Sequence, residues 1–281
     1  MKVDLWGIVI LMKVDLWGVV IFMRSTSGVC YCIISVTNYL RARFSQPDFW
    51  RCKDNGGTRM NIKEAIKSRH SVRQYEDVPI PAEQVSELND LISACNAESG
   101  LHIQLITDDP DCFNSLLAHY GSFKNANNYI AIVGPKSMAD LDEKAGYYGQ
   151  KIVLAAQMMG LNTCWVAGTY SRGKCKADMS SDQKIVCVIA IGFGVTDGTK
   201  HRSKPLARLC NIPEEDMPSW FKNGVKAAMM APTAMNQQKF VISLDGDRPT
   251  VKAGRGPLTK LDLGIVKYNF EAASGHKLYS E

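Results

Sequence analysis

Apolar positions after residue 60 recur with two different periods, and each period predicts a different kind of element. Spacings of three and four residues, typical of a helix with one buried face, occur in four segments. Short continuous or alternating apolar runs bounded by turn residues, typical of strands, occur in five others. The predicted helices are Met60–Ser68, Glu83–Cys95, Ala139–Met159 and Val225–Met230, and the predicted strands are Ile103–Ile106, Tyr129–Val133, Thr163–Ala167, Ile185–Ile191 and Phe240–Leu244.

The order of these elements indicates the fold class. Helices and strands are mixed without regular β-α-β alternation, which favours an α+β sandwich over a doubly wound sheet. Ile185–Ile191 is an uninterrupted apolar run rich in β-branched residues, so we expect it to be a central strand. Gly160 stands where a glycine commonly ends a helix. We therefore predict one α+β domain over residues 60–281.

The first 59 residues have a different pattern, and we treat them as a separate N-terminal extension. MKVDLWGIVIL at 1–11 is followed at once by the near-duplicate MKVDLWGVVIF at 12–22. The apolar runs 16–23 and 29–36 are shorter than the roughly 20 residues of a membrane helix. Three interpretations stay open: a non-native or mis-started leader, a poorly ordered membrane-associating segment, and a true signal or anchor. RCKDNGGTR at 51–59 is predicted to be a linker.

Net charge separates the extension from the domain. The formal charge is +5, and residues 1–59 hold eight Lys/Arg against four Asp/Glu, whereas the remaining chain holds 25 against 24. A nucleic-acid-binding domain usually carries a basic face. The near-neutral balance after residue 59 therefore argues against a nucleic-acid partner, and membrane contact is expected only through residues 1–59.

Nine cysteines, an odd number, lack the C-x-x-C or His/Cys spacing of a zinc site. Several, such as Cys164 and Cys187, lie in apolar runs, where a thiol packs as a small hydrophobic side chain. We interpret the set as reduced thiols of a cytoplasmic protein and expect no metal.

Four segments carry side chains suited to binding an anionic ring cofactor. SRHSVRQY at 68–75 places Arg69, His70, Ser71 and Arg73 together, and arginine forms forked hydrogen bonds to phosphate oxygens. APTAMNQQ at 231–238 offers hydroxyl and amide groups between a helix and a strand. GLNTCWVAG at 160–168 ends a strand in Gly168, and GVTDGTKHRSKP at 194–205 adds cations after the central strand.

Each of these segments also has a simpler interpretation. The two basic segments can be interpreted as solvated turns, and Gly168 as the simple end of a strand. Residues 231–238 can be interpreted as an ordinary helix-to-strand turn. Their order along the chain is more specific. The basic helix end, the GLNTCW strand and the basic loop after residues 191–194 closely resemble the FMN-dependent nitroreductase family, from about Met60 nearly to the C-terminus.

One departure from that family affects the expected assembly. Its flavin-contacting Ala-Pro-Ser-x-x-Asn-x-Gln motif normally follows the basic motif by a few tens of residues, where this chain has ACNAESG at 94–100 without proline. APTAMNQQ is the better copy, which resembles a nitroreductase subgroup with a C-terminal Ala-Pro motif. Both places follow a helix and precede a short strand, so we expect either an internally pseudo-twofold monomer or a homodimer.

The resemblance implies a nitroreductase-like sandwich, with a mixed or antiparallel sheet flanked by helices, that binds FMN. By position, Arg69 and Ser71 would meet the phosphate with His70 beside them, and Arg202 and Lys204 would close over it. Arg73 would approach the pyrimidine edge of the flavin, and the backbone at Gly168 its N5 atom. The ribityl and ring contacts would come from the Ala-Pro segment, through Pro232, Thr233, Asn236 and Gln238.

The implied activity is transfer of two electrons from NAD(P)H to a small electron-poor acceptor, such as a nitroaromatic or a quinone. The chemistry belongs to the cofactor, so no catalytic side chain is assigned. Two alternatives stay open: a flavoprotein of the same fold with different chemistry, such as reductive dehalogenation or flavin breakdown, and a flavin-binding protein without turnover.

Overall fold

The computed structural model describes the backbone of residues 4–5, 8–15, 18–25 and 28–34, and all of residues 60–114 and 121–281. The chain divides into two compact units, Met1–Arg51 and Cys52–Glu281. The predicted linker at 51–59 lies outside the described residues, and the interpretations of the extension stay predictions.

The first unit contains an antiparallel sheet of four strands that pair in chain order. The strands are β1 (Asp4–Leu5), β2 (Ile8–Asp15), β3 (Gly18–Ser25) and β4 (Gly28–Ile34).

Five α-helices occur in the described part of the second unit. They are α1 (Ile62–Ser68), α2 (Ala82–Ser99), α3 (Leu141–Met158), α4 (Ser219–Ala228) and α5 (Thr259–Ser274). A capping box starts α1: the Asn61 side chain accepts from the backbone N–H groups of Lys63 and Glu64, and Glu64 accepts from the Asn61 backbone. None of the helices in the described residues combines the length and the apolar character needed to span a bilayer.

The larger sheet of this unit has four antiparallel strands in the order β5-β6-β8-β7. The strands are β5 (Gln104–Ile106), β6 (Tyr129–Pro135), β7 (Asn162–Val166) and β8 (Gln183–Gly192). The predicted central strand is confirmed as β8, which is paired on both sides and nearly all buried beyond its first residues.

A second sheet lies near the C-terminus. The strands β9 (Phe240–Asp245) and β10 (Arg248–Ala253) form an antiparallel hairpin, and β11 (Tyr279–Ser280) pairs with β10 in parallel. Helix α3 packs against the larger sheet, α5 packs against β10, and the two helices pack extensively against each other. The helix pair therefore forms the layer between the two sheets.

The α3–α5 contact is close because a glycine lies on each side of it. A Cβ on Gly146 would overlap the backbone oxygen of Leu261 and approach the backbone nitrogen of Ile265. A Cβ on Gly264 would overlap the backbone oxygen of Glu143 and approach the nitrogen of Tyr147. Gly146 thus contacts the residues three before and one after Gly264. In the same way, Gly264 contacts the residues three before and one after Gly146. Reciprocal contact of this kind is the signature of a twofold relation.

The predicted α+β class is confirmed, and each of the nine predicted elements overlaps an observed one. The sequence pattern did not predict α5, β10 or β11, so two strands of the second sheet and one helix of the central pair were missed.

Candidate functional site

A cavity of about 670 Å³ lies in the second unit, where segments distant in sequence converge. This volume is in the range of pockets that hold small molecules and cofactors. Its walls come from the end of α1, the end of β7, the loop after β8, the Ala-Pro loop (residues 231–239) and the start of α5. The lining residues are Arg69, His70, Ser71, Arg73, 165–169, Cys187, 199–202, 232–236, Pro257, Leu258, Leu261, Asp262 and Ile265.

Arg69 is the most unusual side chain of this wall. It directly follows α1 and is only 4% exposed, and its Nη1 atom has no hydrogen-bond partner. Burial lowers the pKa of Arg69 to about 10. A buried guanidinium remains charged at neutral pH and costs several kcal/mol unless an anion compensates it. The geometry therefore fits an anionic ligand group at this end of the cavity.

The segment after Arg69 is held as an extra strand segment beside β7. Ser71 forms an isolated parallel bridge with Thr163, and the Val72 backbone N–H donates to the Thr163 carbonyl at 3.1 Å. The hydroxyl of the buried Tyr75 donates to the Val72 carbonyl at 2.7 Å. Because the backbone is fixed on both sides, Ser71 and Arg73 are presented to the cavity by the rigid sheet rather than by a free turn.

The loop after β8 connects the two ends of the site. The Nδ1 atom of His70 donates to the Asp197 carbonyl at 3.1 Å, which joins the loop to the α1 end. The Arg202 carbonyl accepts from the side-chain amides of Asn236 at 3.0 Å and Gln238 at 2.9 Å. The segments predicted to bind phosphate and ring are therefore linked by direct hydrogen bonds.

The Ala-Pro loop has an unusual backbone. Met235, Asn236 and Gln238 have φ values of 51°, 52° and 43°, in the left-handed region that residues other than glycine seldom adopt. Such strain persists where the surroundings impose it, and it is frequent at ligand sites. Met235 is 85% exposed although it lines the cavity, so its side chain stands at the cavity mouth.

Asp262, in the first turns of α5, holds this loop. Its carboxylate accepts from the Ala234 backbone N–H at 2.8 Å and from the Gln237 side-chain amide at 2.7 Å. Burial raises the pKa of Asp262, and the two hydrogen bonds oppose the rise. The carboxylate thus fixes the loop to a helix that also contributes to the wall.

The charge of the wall is strongly positive. Four lining residues are Arg or Lys, and Asp262 is the only lining acid. Within residues 60–114 and 121–281, none of the four cations forms an ion pair with a carboxylate. His201 adds no charge at neutral pH, because burial lowers its pKa. The cations are Arg69, Arg73, Lys200 and Arg202.

Nine of the eleven predicted site residues line the cavity. The other two, Gln238 and Lys204, do not line the cavity. The Lys204 backbone N–H donates to the Gln238 side chain at 2.7 Å, and Lys204 Nζ donates to the Gln237 carbonyl at 2.6 Å. We expect these two to support the site rather than to touch a ligand. The nine are Arg69, His70, Ser71, Arg73, Gly168, Arg202, Pro232, Thr233 and Asn236.

Sequence reasoning missed the wall contributed by α5. Pro257 just before the helix and the spacing of Leu261 and Ile265 were available signals for a helix start. Asp262 gave no signal of its own, because its importance depends on partners 25 and 28 positions away. Across the described residues, no group of three or more His, Cys, Asp or Glu is placed to hold a metal ion.

Similarity to known proteins covers most of the second unit. The family model described as "Putative TM nitroreductase" matches residues 61–274. A putative nitroreductase structure from Thermotoga maritima is 22% identical, with a TM-score of 0.57 over 79% of this chain and 88% of that one. At this identity the similarity shows a common fold. No curated protein matches the chain.

Two further nitroreductase structures are similar over a smaller part of the chain. A putative nitroreductase in complex with FMN, from Desulfovibrio desulfuricans, is 22% identical, with a TM-score of 0.44 over 57% of this chain and all of that one. A putative NADH dehydrogenase/NAD(P)H nitroreductase from Parabacteroides distasonis is 22% identical, with a TM-score of 0.43 over 53% and 95%. These TM-scores are too low to support any inference about the chain.

Proposed function

Because the chain belongs to the "Putative TM nitroreductase" family, we propose that it is an FMN-dependent oxidoreductase. It transfers two electrons from NAD(P)H to a small electron-poor acceptor such as a nitroaromatic or a quinone. The observation that carries the proposal is Arg69, a buried guanidinium with an unpartnered Nη1 atom in a cation-rich cavity.

The residues of the cavity fit FMN at both ends. Arg69, Ser71 and Arg202 would hold the phosphate, with His70 fixing the loop that carries Arg202. Thr233 and Asn236 would contact the ribityl chain or the ring, and the backbone at Gly168 would face the ring nitrogen that accepts hydride.

When bound, FMN would supply the redox chemistry, a two-electron exchange first with the nicotinamide and then with the acceptor. The protein contributes position and charge. Arg73 lies on the same wall as the phosphate-binding residues, where its cation would stabilise negative charge on the ring. Met235 at the mouth would border the space that donor and acceptor occupy in turn.

One chain contains all of these groups, so we propose that a monomer suffices for FMN binding. Arg69, Ser71 and Arg73 come from the first half of the second unit, and Arg202 and the Ala-Pro loop come from the second half. The reciprocal crossing of α3 and α5 supports this assignment, because it gives the two halves the twofold contact that two subunits would make. One FMN per chain in a monomeric species is the expected stoichiometry.

The six cysteines that the structure describes are free thiols. This supports a reducing compartment, and we propose a cytoplasmic location.

The test begins with the absorbance spectrum of the purified full-length protein, with and without added FMN. We expect flavin absorption at one FMN per chain, bleaching by NADH or NADPH, and return of colour on adding a quinone. Colourless protein that binds no added FMN would contradict the proposal. A bound flavin that neither nicotinamide reduces would identify a flavin-binding protein without turnover.

A further inference from the structure

Two cysteines outside the FMN cavity contact each other. Cys112 ends the short turn Pro110–Cys112 after β5, and Cys175 follows the turn Arg172–Lys174 after β7. The two turns are joined by the Ser171 backbone N–H, which donates to the Cys112 carbonyl at 2.8 Å. The Cys175 backbone N–H donates to the Ser171 carbonyl at 3.2 Å, and the Cys175 side chain packs against the apolar cluster that contains Cys112. Strands β5 and β7 are the two edge strands of the larger sheet. The segments that follow them therefore bring two cysteines from opposite edges of the sheet close together.

The two thiols differ in access to solvent. Cys112 is fully buried in the core on one face of the larger sheet, and Cys175 packs against the edge of that core and is partly exposed. Among the six cysteines that the structure describes, Cys175 is the only one that is not buried. A reagent from solvent is therefore expected to reach Cys175 before Cys112.

The surroundings of the Cys175 sulfur favour its thiolate. Hydrogen bonding from Cys112, Tyr129 and the Ala177 backbone lowers the pKa of Cys175 against the opposing effects of burial and of Asp109. The same interaction with Cys175 and burial raise the pKa of Cys112. Of the two sulfurs, Cys175 is therefore the one that ionises first.

The nearby charges are already paired. Asp109 would oppose a thiolate, but its carboxylate binds Lys176 Nζ at 3.1 Å and the Tyr129 hydroxyl at 2.6 Å. The same hydroxyl accepts the Lys176 backbone N–H at 2.9 Å. These contacts hold Lys176, the residue after Cys175, in place, and the Lys176 cation offsets the charge of Asp109.

We propose that Cys112 and Cys175 form a peroxide-reactive dithiol site, with Cys175 as the attacking sulfur and Cys112 as the resolving one. The Cys175 thiolate attacks one oxygen of hydrogen peroxide, the O–O bond breaks, and the leaving hydroxide takes a proton to become water. This leaves a sulfenic acid on Cys175. The Cys112 sulfur then attacks the Cys175 sulfur, the S–O bond breaks, and a second water leaves with the Cys112 proton. Two thiols lose two electrons, and one peroxide becomes two waters.

The resulting disulfide would tie the segment after β7 to the turn after β5. That segment begins at Val166–Thr169, which lines the FMN cavity. The dithiol site is independent of FMN, so its test requires no flavin.

The first measurement uses the full-length protein, reduced, treated with hydrogen peroxide and mapped without reduction by mass spectrometry. We expect a Cys112–Cys175 linked peptide and the loss of two thiols per chain, with Cys210→Ser behaving as wild type because Cys210 is buried elsewhere. Cys112→Ser should leave a sulfenic acid on Cys175 that dimedone traps. Absence of the linked peptide in wild type, with no dimedone adduct in the variant, would overturn the proposal.

The second measurement is the pH dependence of alkylation of Cys175 by iodoacetamide. Because a lowered pKa leaves less of the thiol to be ionised above pH 7, we expect the rate to rise much less between pH 7 and 8 than that of an ordinary thiol with a pKa of about 8.5, which reacts several-fold faster at pH 8. A several-fold rise for Cys175 over that interval would contradict the role of its thiolate.

Discussion

The two halves of the second unit are alike where their long helices cross and different where a helix leads into a strand. After α2 the chain turns at Gly100, with a φ of 75°, and reaches β5 within four residues. After α4 it passes through the Ala-Pro loop, where three residues other than glycine adopt positive φ. The same order of elements thus makes a simple helix end in one half and a strained cavity wall in the other.

The difference shows how one cavity wall depends on contacts from outside its own segment. The strained loop is held from outside, by Asp262 on α5 and by the Arg202 carbonyl. The turn after α2 is satisfied locally: Ser99 Oγ donates to the Cys95 carbonyl at 2.7 Å and accepts from the Leu101 backbone N–H at 3.0 Å. A ligand wall requires long-range support that a simple helix end does not.

Replacement of Arg69 gives the largest expected effect. It tests the contribution of the first half of the second unit to the site. We expect Arg69→Met to weaken FMN binding about 10- to 100-fold, the loss of a hydrogen-bonded charge contact. The free energy of unfolding without FMN should stay equal or rise, since a buried unpaired charge is removed. FMN titration and urea unfolding measure the two quantities, with the exposed Lys67→Met as control. Unchanged FMN affinity would contradict the assignment.

The glycine crossing tests the likeness of the halves. Gly146→Ala and Gly264→Ala should each destabilise the fold by about 1–3 kcal/mol, because each Cβ would meet the backbone of the other helix. The two costs should agree, and the double variant should lose less than their sum, since one separation of the helices relieves both contacts. Urea unfolding measures all three.

Gly173→Ala is the control for the crossing, because a Cβ there would meet nothing within 4 Å. Strongly unequal costs for the two helix glycines would break the comparison between the halves.

Asp262 tests the long-range support of the Ala-Pro loop. Asp262→Asn replaces one accepting oxygen by a donor, so we expect FMN affinity to fall about five- to tenfold, with one hydrogen bond contributing about 1 kcal/mol. Asp247→Asn, in an exposed hairpin turn, should leave it unchanged. An affinity equal to that of wild type would show that the loop keeps its shape without the carboxylate.

The pH dependence of stability checks the same residue. The pKa of Asp262 is raised on folding, so protonation favours the folded state. The stability of wild type relative to Asp262→Asn should be greatest below the unfolded pKa of about 3.9 and should decline as pH rises through the raised pKa. A difference that grows with pH would have the wrong sign.

Met235 gives the smallest expected effect, on the mouth of the cavity. Met235→Gly relieves a left-handed φ and frees the unfolded chain, and these effects nearly cancel, so the free energy of unfolding should change by less than about 1 kcal/mol. Loss of the apolar side chain should raise KM for a quinone about two- to fivefold at constant kcat. Met179→Gly, which lies outside the cavity wall, is the matched control. A fall in kcat alone would contradict a simple contact at the mouth.

Much of the fold was predictable because its central elements are locally consistent. Helix α3 and strands β6 and β8 follow single apolar periods, and the structure confirms them. Helix α5 was missed because Gly264 interrupts its apolar pattern, and glycine is unfavourable in a helix considered alone. Gly264 is needed because the backbone of α3, which is distant in sequence, packs directly against it.

The residues of the candidate site were likewise predictable only in part. Side chains whose type indicates their chemistry, such as Arg69 and Asn236, were singled out from the sequence and line the cavity. Lys204 and Gln238 have equally suggestive types, yet they bind each other across 34 positions of chain. Only the tertiary fold distinguishes a residue that faces the cavity from one that supports the wall.

The crossing of α3 and α5 has a further consequence for how this protein can change by mutation. In a pair of identical subunits, one codon change alters both sides of the symmetry axis at once. Here Gly146 and Gly264 are encoded separately, so either side can be substituted alone. One half can therefore keep a strained cavity wall while the corresponding segment of the other half changes to an ordinary turn, and selection acts on a single copy of each residue.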